Sequence, residues 1–342
     1  MTTKRGAKAT IRDVAAAAEV SVAAVSAALN GKGSLKAETR ERIQREAERL
    51  GYRPSRVAQA FREGRIGAIA LVLPLMDSVD EQQRLIGLDY YMAIAAGSAS
   101  AAFAAGYSLT LTPPLSSREQ WRMVRADGVV LCDPVADDER LTVLDEIGVP
   151  VVTIDRDPTR EPMPPYAAGD NYANMRLLLD HLDDEGARRI ALLSADSSWA
   201  WTQDGDRAYA EWCAEHGHEP LRVPVPLGKG DNDALEATVE LLQRAAPPDA
   251  VIASAEQYTA GVVNACRKLG RRIPDDVMVA VGVDSRSALQ NDPPLTAIDL
   301  HPHQQGEAAV RLLLDRLAHD AARPDPVIVP STLHRRASTH RG

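Results

Sequence analysis

Cysteine and aromatic residues are the scarcest features of this 342-residue sequence, which has three cysteines and 4% aromatic residues, with two Phe among them. Cys132, Cys213 and Cys266 are far apart and odd in number, so they indicate neither a disulfide framework nor a zinc site. The eight histidines include two closely spaced pairs, His216-x-His218 and His301-x-His303, and we expect surface or structural roles for them. We therefore expect packed, reduced thiols and neither a metal nor another cofactor.

Long apolar segments are also missing. No stretch offers eighteen apolar residues in succession, and the basic residues near the start are not followed by an apolar run. The sequence equally lacks a G-x-S-x-G turn, a phosphate-cradling glycine loop and a paired nucleophile and base. We therefore expect a cytoplasmic protein that neither crosses a membrane nor catalyses a reaction.

The charge is distributed unevenly along the chain. Residues 1–65 hold 14 Lys and Arg against 7 Asp and Glu, a balance of +7, which leaves −16 for the rest of a chain whose formal net charge is −9. A basic segment on an acidic body is typical of a protein in which that segment alone meets a polyanion. This reversal indicates a nucleic-acid-binding N-terminal region.

The first thirty residues carry the pattern of two short helices joined by a tight turn. Thr10, with Asp13 three residues later, predicts the start of one helix, and Ser21 predicts the start of the next. Apolar residues at helical spacing predict one buried side on each helix: Val14, Ala15, Ala18, Val25 and Leu29. The second helix then exposes small side chains and fits the major groove of DNA. A helical hairpin that packs on the rest of the protein is the alternative.

The order of motifs T-I-R-D-V-A, V-S, V-S-x-x-L-N-G, T-R-E-R-I, L-G-Y-R-P and R-V-A-Q-A-F resembles the start of the LacI/GalR family of bacterial transcription regulators. The resemblance continues through nearly the whole chain. It implies a helix-turn-helix domain at residues 1–54 and a hinge helix at 55–65. The residues expected at double-stranded operator DNA are Thr10, Ser21, Val22, Ala23, Ser26, Ala27, Asn30, Arg56, Gln59 and Phe61.

Two of these positions depart from the family pattern. The family usually places a leucine in the hinge helix as a wedge for the minor groove, and Phe61 stands there instead. Packing of Phe61 under the helix-turn-helix domain is the alternative to a wedge. In the recognition helix, Ala27 replaces the usual arginine, so we expect half-sites that favour T·A pairs or are weakly specified opposite Val22, Ala23 and Ala27.

The remainder of the chain, residues 66–342, alternates apolar runs of strand length with helical patterns. The runs are Ile69–Leu73, Leu109–Leu111, Val129–Leu131, Val151–Ile154, Ile190–Leu193, Val251–Ala253 and Val277–Val281. Such strands predict an α/β fold of two doubly wound parallel sheets, with a ligand crevice between the lobes. The resemblance implies a periplasmic-binding-protein-like arrangement. We place lobe 1 at 66–186 and 297–322, and lobe 2 at 187–296 and 323–342.

The same resemblance indicates where an effector binds. Tyr90 and Tyr91 stand where the family commonly has a Phe pair, and Asn171 and Asp284 match positions that line its pocket. Trp199, Trp201 and Gln203 stand upstream of Gly205, which replaces an arginine usual in the family. Asp77 belongs to a long loop that either overhangs the crevice or is a solvated surface.

The loss of a cation and the gain of indoles favour a neutral carbohydrate, a nucleoside or an amine over an anion. For either indole, a role as a core anchor is the alternative. The sequence thus predicts a repressor that is switched by a small-molecule effector such as a carbohydrate. It ends near the family's core without a heptad repeat, so a homodimer is the expected assembly. The alternatives are a solute-binding protein and a sugar-modifying enzyme.

Overall fold

The computed structural model describes residues 9–29, 35–52, 65–74, 88–113, 115, 117–227, 231–318 and 325–341. The chain divides into two compact units, Met1–Gly67 and Ala68–Gly342, called here the head and the body. Within the described ranges, no helix combines the length and the apolar character needed to cross a membrane.

The described part of the head contains the helices α1 (Ile11–Ala17), α2 (Val22–Leu29) and α3 (Ala37–Arg49). The predicted starts of α1 and α2 are confirmed. The Asp13 carboxylate accepts hydrogen bonds from the Thr10 backbone N–H and hydroxyl, both at 2.7 Å, and the Ser21 hydroxyl accepts the Ala24 N–H at 3.1 Å. The three helices enclose one small apolar core, formed by Val14, Ala15, Ala18, Val25, Ala28, Ile43 and Ala47.

The body is built on two six-stranded sheets. The first contains β1 (Ala68–Val72), β2 (Ser108–Thr112), β3 (Gly128–Cys132), β4 (Val151–Ile154), β5 (Tyr166–Ala168) and β11 (Val327–Ile328), in the order β11-β5-β4-β3-β1-β2. The second contains β6 (Ile190–Ala195), β7 (Leu221–Val225), β8 (Ala250–Ala253), β9 (Met278–Val281), β10 (Thr296–Asp299) and β12 (Thr332–His334), in the order β12-β10-β9-β8-β6-β7. Every described pairing is parallel except the antiparallel pairing of β10 with β12. The seven apolar runs predicted as strands are confirmed.

Helices cover both faces of the first sheet because alternate strand residues point to opposite faces. Ile69 and Leu71 pack with α4 (Leu88–Ala104) and α12 (Pro302–Ala318). Ala70 and Val72 pack on the other face with α5 (Arg118–Met123) and α6 (Glu139–Glu146). The backbones of α4 and α12 approach so closely that a Cβ at Gly97 would lie 1.9 Å from the His303 carbonyl oxygen.

The second sheet is covered in the same way. Leu192 packs with α7 (Asn171–Asp184) and α8 (Ala200–His216), and its neighbour Leu193 packs with α9 (Asp231–Leu242) and α10 (Thr259–Lys268). A 3₁₀ turn at Glu256–Tyr258 and a short helix, α11 (Arg286–Gln290), complete this lobe. The predicted fold class, a helix-turn-helix head followed in the chain by two lobes built on parallel sheets, is confirmed.

Three parts of the predicted lobe division were wrong. Residues 171–184 belong to the second lobe, because Leu178, Leu179 and Leu182 of α7 pack in its core. Strand β10 also belongs there, since it pairs with β9 and β12. Strand β11 pairs with β5 and therefore belongs to the first lobe. The chain thus crosses between lobes near residues 169–170, 300–301 and 329–331.

Candidate nucleic-acid interface and ligand cavity

The outer side of α2 carries small, uncharged side chains. Val22 is 41% exposed, Ala23 is exposed, and Ser26 and Ala27 are half-buried. No residue of this helix is charged. Exposed basic residues lie on α1, on α3 and directly before α3: Arg12, Lys36, Arg42, Arg45 and Arg49. The arrangement suits a helix that meets base edges while basic residues around it meet phosphates.

The other residues predicted at DNA are placed as follows. Thr10 and Ser21 are exposed and cap α1 and α2. Asn30, Arg56, Gln59 and Phe61 lie outside the described residues, and their roles stay predictions.

A cavity lies in the body at the carboxyl ends of strands from both lobes. Its empty volume is about 1150 Å³, part of which is open to solvent. Residues at or directly after strand ends line it: Asp133, Asp155, Gly169, Ser194, Ser254, Gly282 and Leu300. Ligand pockets in open parallel sheets form at this edge, so the cavity is the candidate effector site.

Five predicted effector residues line this cavity: Tyr90, Tyr91, Asn171, Trp199 and Trp201. Gln203 and Asp284 do not. Gln203 is exposed, and its amide donates to the Ser198 carbonyl oxygen at 3.3 Å. Asp284 forms an ion pair with Arg336, with nitrogen–oxygen distances of 2.6 and 2.8 Å, so a ligand has no access to an unpaired carboxylate there. Asp77 lies outside the described residues.

Aromatic side chains form two walls of the cavity. The Trp199 and Trp201 rings stack with centroids 5.8 Å apart and planes 18° apart. Tyr90 and Tyr91 meet edge to face at 5.2 Å. Burial raises the pKa of both tyrosines well above its usual range, so their hydroxyls remain neutral donors. The Tyr90 hydroxyl donates to Gln305 Oε1 at 3.1 Å.

Two buried aspartates on the first lobe were missed by the sequence analysis. Asp133 directly follows β3 and accepts a hydrogen bond from the Tyr91 hydroxyl at 2.7 Å; Asp155 directly follows β4 and accepts one from Asn171 Nδ2 at 3.1 Å. Burial raises the pKa of Asp133 to about 7 and that of Asp155 to about 6, and the charge of Asp155 contributes to the first shift. The available signal was an acidic residue immediately after each of two adjacent buried strands.

The second lobe contributes polar groups of a different kind. Asp206 receives a hydrogen bond from the Ser194 hydroxyl and an ion pair from Arg222 at 2.7 Å. Within the described part of the chain, Asn174 Nδ2 and Glu256 Oε2 are buried without a hydrogen-bond partner. Neither residue was predicted. Asn174 Nδ2 therefore needs a hydrogen-bond acceptor and Glu256 Oε2 needs a donor, and the described side chains supply neither.

Several contacts join the lobes beside the cavity, among them the hydrogen bond from Asn171 to Asp155 described above. Trp199 Nε1 of the second lobe donates to the Asp133 backbone oxygen of the first at 3.0 Å. Arg156 of the first lobe binds both carboxylate oxygens of Asp204 in the second at 2.8 Å. Trp199 and Asp133, which one of these bridges joins, both line the cavity, so a ligand there can contact both lobes.

Gly205 lies on the cavity wall in the middle of α8. A Cβ at this position would lie 3.5 Å from Met175 Cε, an ordinary contact. The lining residues include no Lys, Arg or His. The absence of an arginine side chain at position 205 thus leaves the described wall acidic.

Comparison with known proteins gave matches along almost the whole chain. Residues 10–55 match the lacI family of bacterial regulatory proteins, and residues 179–339 match a periplasmic binding protein-like domain. The transcriptional regulator CelR of Thermobifida fusca is 30% identical over 98% of this chain and 99% of its own, and the ribose operon repressor of Halalkalibacterium halodurans is 27% identical over 97% and 98%.

Two solved structures have a similar fold. A CelR–cellobiose complex superposes with a TM-score of 0.72 at 28% identity, covering 96% of this chain and 99% of that one. A lac repressor dimer bound to operator and an anti-inducer superposes with a TM-score of 0.73 at 23% identity, covering 98% and 100%.

Proposed function

Because the chain belongs to the lacI family of bacterial regulatory proteins and is a DNA-binding transcription regulator, we propose that it represses transcription from a pseudo-palindromic operator. We also propose that a carbohydrate effector in the interlobe cavity switches its affinity for DNA. The observation that carries this proposal is a cavity walled by both lobes, in a chain whose separate head exposes an uncharged helix among basic residues.

A carbohydrate fits the described wall for two reasons. The apolar faces of sugar rings stack on indoles, and Trp199 and Trp201 supply an indole surface. Sugar hydroxyls also donate to carboxylates and accept from amides, which Asp133, Asp155 and Asn174 offer. The CelR structure, a relative at 28% identity, is described as a complex with cellobiose.

Switching requires a ligand that binds one arrangement of the lobes better than another. We propose that the bridges from Trp199 to Asp133 and from Arg156 to Asp204 belong to the ligand-favoured arrangement. An effector held between the same walls stabilises these bridges, and the difference in lobe arrangement changes the DNA affinity of the head through the hinge segment.

A second copy of the chain is the proposed partner in the operator complex. Three large apolar side chains stay exposed on consecutive elements of the first lobe: Phe103 at 75%, Leu111 on the edge strand β2 at 55%, and Met123 at 80%. Exposed apolar surface of this kind marks protein interfaces. We expect Leu111→Asp to shift sedimentation toward the monomer.

The DNA-binding test starts from fragments selected out of a random library by the purified protein. We expect a pseudo-palindromic consensus, with an affinity that falls by roughly tenfold or more between about 50 and 200 mM salt as counterions are released. Association that is independent of salt, or selection that yields no consensus, would contradict the proposed repressor.

We also propose that the body binds its ligand without chemical turnover and that the protein works in the cytoplasm on the nucleoid. Incubation of the protein with a candidate sugar, followed by chromatography of the sugar, separates a regulator from a sugar-modifying enzyme. Unchanged sugar is expected. Consumption of the sugar would favour the enzyme, and ligand binding without any operator affinity would favour a solute-binding protein.

A further inference from the structure

The described wall of the cavity has an excess of carboxylates. Asp133, Asp155, Asp206 and Glu256 line it, and no Lys, Arg or His does. Asp206 is already neutralised by Arg222 at 2.7 Å. The remaining three carboxyl groups have no ion pair among the described residues. Asp133 and Asp155 are buried, and Glu256 is half-buried with a buried Oε2, so the lack of an ion pair is unusual.

The arginines nearest to the two aspartates are engaged elsewhere. Arg140 forms its ion pair with Asp138, and Arg156 forms a bidentate pair with Asp204. Asp133 is 6% exposed and Asp155 is 8% exposed, and their carboxyl groups follow the ends of two adjacent parallel strands. Their raised pKa values, about 7 and about 6, have burial as the largest cause. A cation placed beside them would offset this cost.

A second, independent feature indicates that the missing partner is an organic molecule with oxygen atoms. Asn174 is 8% exposed, its Oδ1 accepts the Ser331 hydroxyl, and its Nδ2 finds no acceptor among the described residues. Across the described residues, no group of three or more His, Cys, Asp or Glu is arranged to hold a metal ion. A bare metal ion would in any case leave Asn174 Nδ2 unsatisfied.

We propose that the effector is an amino sugar, whose protonated amine binds at Asp133 and Asp155 and whose hydroxyls satisfy Asn174 and Glu256. An ammonium group brings three donors and a positive charge, while the sugar ring faces Trp199 and Trp201. A neutral sugar leaves the two buried carboxyl groups without a cationic partner, and an anion beside them is disfavoured. This inference rests on the proposed carbohydrate effector and specifies its charge.

The test compares three disaccharides that differ only at the amine position. They are the disaccharide of glucosamine, its N-acetylated form, and cellobiose, which has hydroxyls there. Binding is measured by calorimetry and by tryptophan fluorescence at about pH 7 and low salt. We expect the glucosamine disaccharide to bind about tenfold tighter than either neutral sugar, the equivalent of about 1.4 kcal/mol.

Two variants assign this preference to the aspartates. Asp133→Asn and Asp155→Asn remove the charge but keep the side-chain shape. Both positions have a positive φ, +44° and +63°, which asparagine adopts readily, so the backbone is preserved. We expect the preference for the amine to fall to about threefold or less, with little change for cellobiose. Glu215→Gln is the matched control, because it removes one negative charge from a surface pair with Arg176.

Three results would overturn the inference. Cellobiose that binds as tightly as the amine and releases the operator would leave the carbohydrate-regulated repressor in place and refute the amino sugar. An amine preference that survives both aspartate substitutions would place the ammonium elsewhere. Binding of none of the three sugars, with operator binding intact, would refute both the amino sugar and the carbohydrate effector while leaving the DNA-binding role standing.

Discussion

The head and the cavity of the body hold their charges in opposite ways. In the head, basic side chains are exposed around α2, and the helix itself has no charge. In the body, carboxylates are buried on the cavity wall while the surface ion pairs are satisfied. Exposed charges are screened by salt and act on any polyanion, whereas buried charges are strong and act only on a ligand that enters. The two regions therefore suit different partners: the head suits the phosphates of any DNA, and the cavity suits one specific ligand.

The largest effect should come from a cation placed inside the cavity. Gly205→Arg introduces the residue type usual in the family and adds a guanidinium to a wall whose described residues include none. We expect the affinity for the glucosamine disaccharide to fall by about a hundredfold or more, because an arginine competes for the carboxylates and repels the amine. Calorimetry measures the loss.

The matched control is Gly205→Met, which fills similar space without charge. It should weaken all three disaccharides by comparable factors, while Gly205→Arg should discriminate against the amine. Operator affinity without a ligand should stay within about twofold in both variants. Equal losses for charged and neutral sugars in Gly205→Arg would show that volume, not charge, decides binding there.

The next effect is on stability and depends on pH. The pKa of Asp133 in the folded, empty protein is about 7, above its usual value of 3.8, so folding favours the protonated carboxyl. This group therefore destabilises the fold progressively as the pH rises from about 4 to 7, and Asp133→Asn should remove that cost. Thermal unfolding of the ligand-free protein should show stabilisation on the order of 2 kcal/mol at pH 8 and little at pH 4.

The charged and titratable neighbours of Asp133 define the control for this experiment. Asp155 raises its pKa, while Arg140 and the Tyr91 hydroxyl lower it. Tyr91→Phe should therefore raise the pKa further and increase the pH dependence. A stability difference between Asp133→Asn and the parent that is the same at pH 4 and pH 8 would mean that the carboxylate is not buried as a charge.

Most of the body's architecture could be predicted because its central strands are continuous apolar runs. Ile69–Leu73 and Ile190–Leu193 are examples: both faces of the sheet are covered, so nearly every side chain is apolar. The lobe boundaries were harder, since α7 has an amphipathic pattern that suits either lobe. Its assignment depends on which core Leu178 meets, and sequence spacing carries no such information.

The cavity was only partly predictable for a related reason. Tyr90 and Tyr91, predicted from a matching position, and the two indoles, predicted as departures from the family pattern, all line the cavity. Asp284 does not line the cavity, and its ion pair with Arg336, 52 positions later, could not be predicted from sequence spacing. Asp133 and Asp155 directly follow strands, a position that solvated loop residues also occupy. The sequence therefore does not distinguish the two cases, and only the folded structure shows that both aspartates are buried.

In the head, an added positive charge on α2 should change DNA affinity by a smaller but measurable amount. Ala27→Arg introduces a bidentate donor on a helix that has none, and arginine commonly binds guanine in the major groove. We expect roughly tenfold tighter binding to DNA in general and a new guanine preference at one position, measured by selection from a random library. Ala27→Met is the length control and should produce neither change.

The parent protein offers an independent check of the same idea. If the small side chains at positions 22, 23 and 27 read the bases, selected half-sites should show T·A pairs or weak specification there. A strongly required guanine opposite Ala27 in the parent would show that another residue contacts this base. It would contradict the proposal that the uncharged side chains of α2 recognise the half-site.

The smallest effect concerns Ser21, which has two proposed roles in the head. Its hydroxyl accepts the Ala24 N–H at the start of α2, and its side chain is exposed where DNA is expected. Ser21→Ala should weaken the cap by about 1 kcal/mol, measured as faster amide exchange in α2 of the full chain. Ser21→Asp separates the roles, because aspartate caps a helix well but places a negative charge toward phosphates. Slow exchange with reduced DNA affinity in Ser21→Asp is the expected result. Unchanged affinity in that variant would remove Ser21 from the DNA interface and leave it as a cap alone.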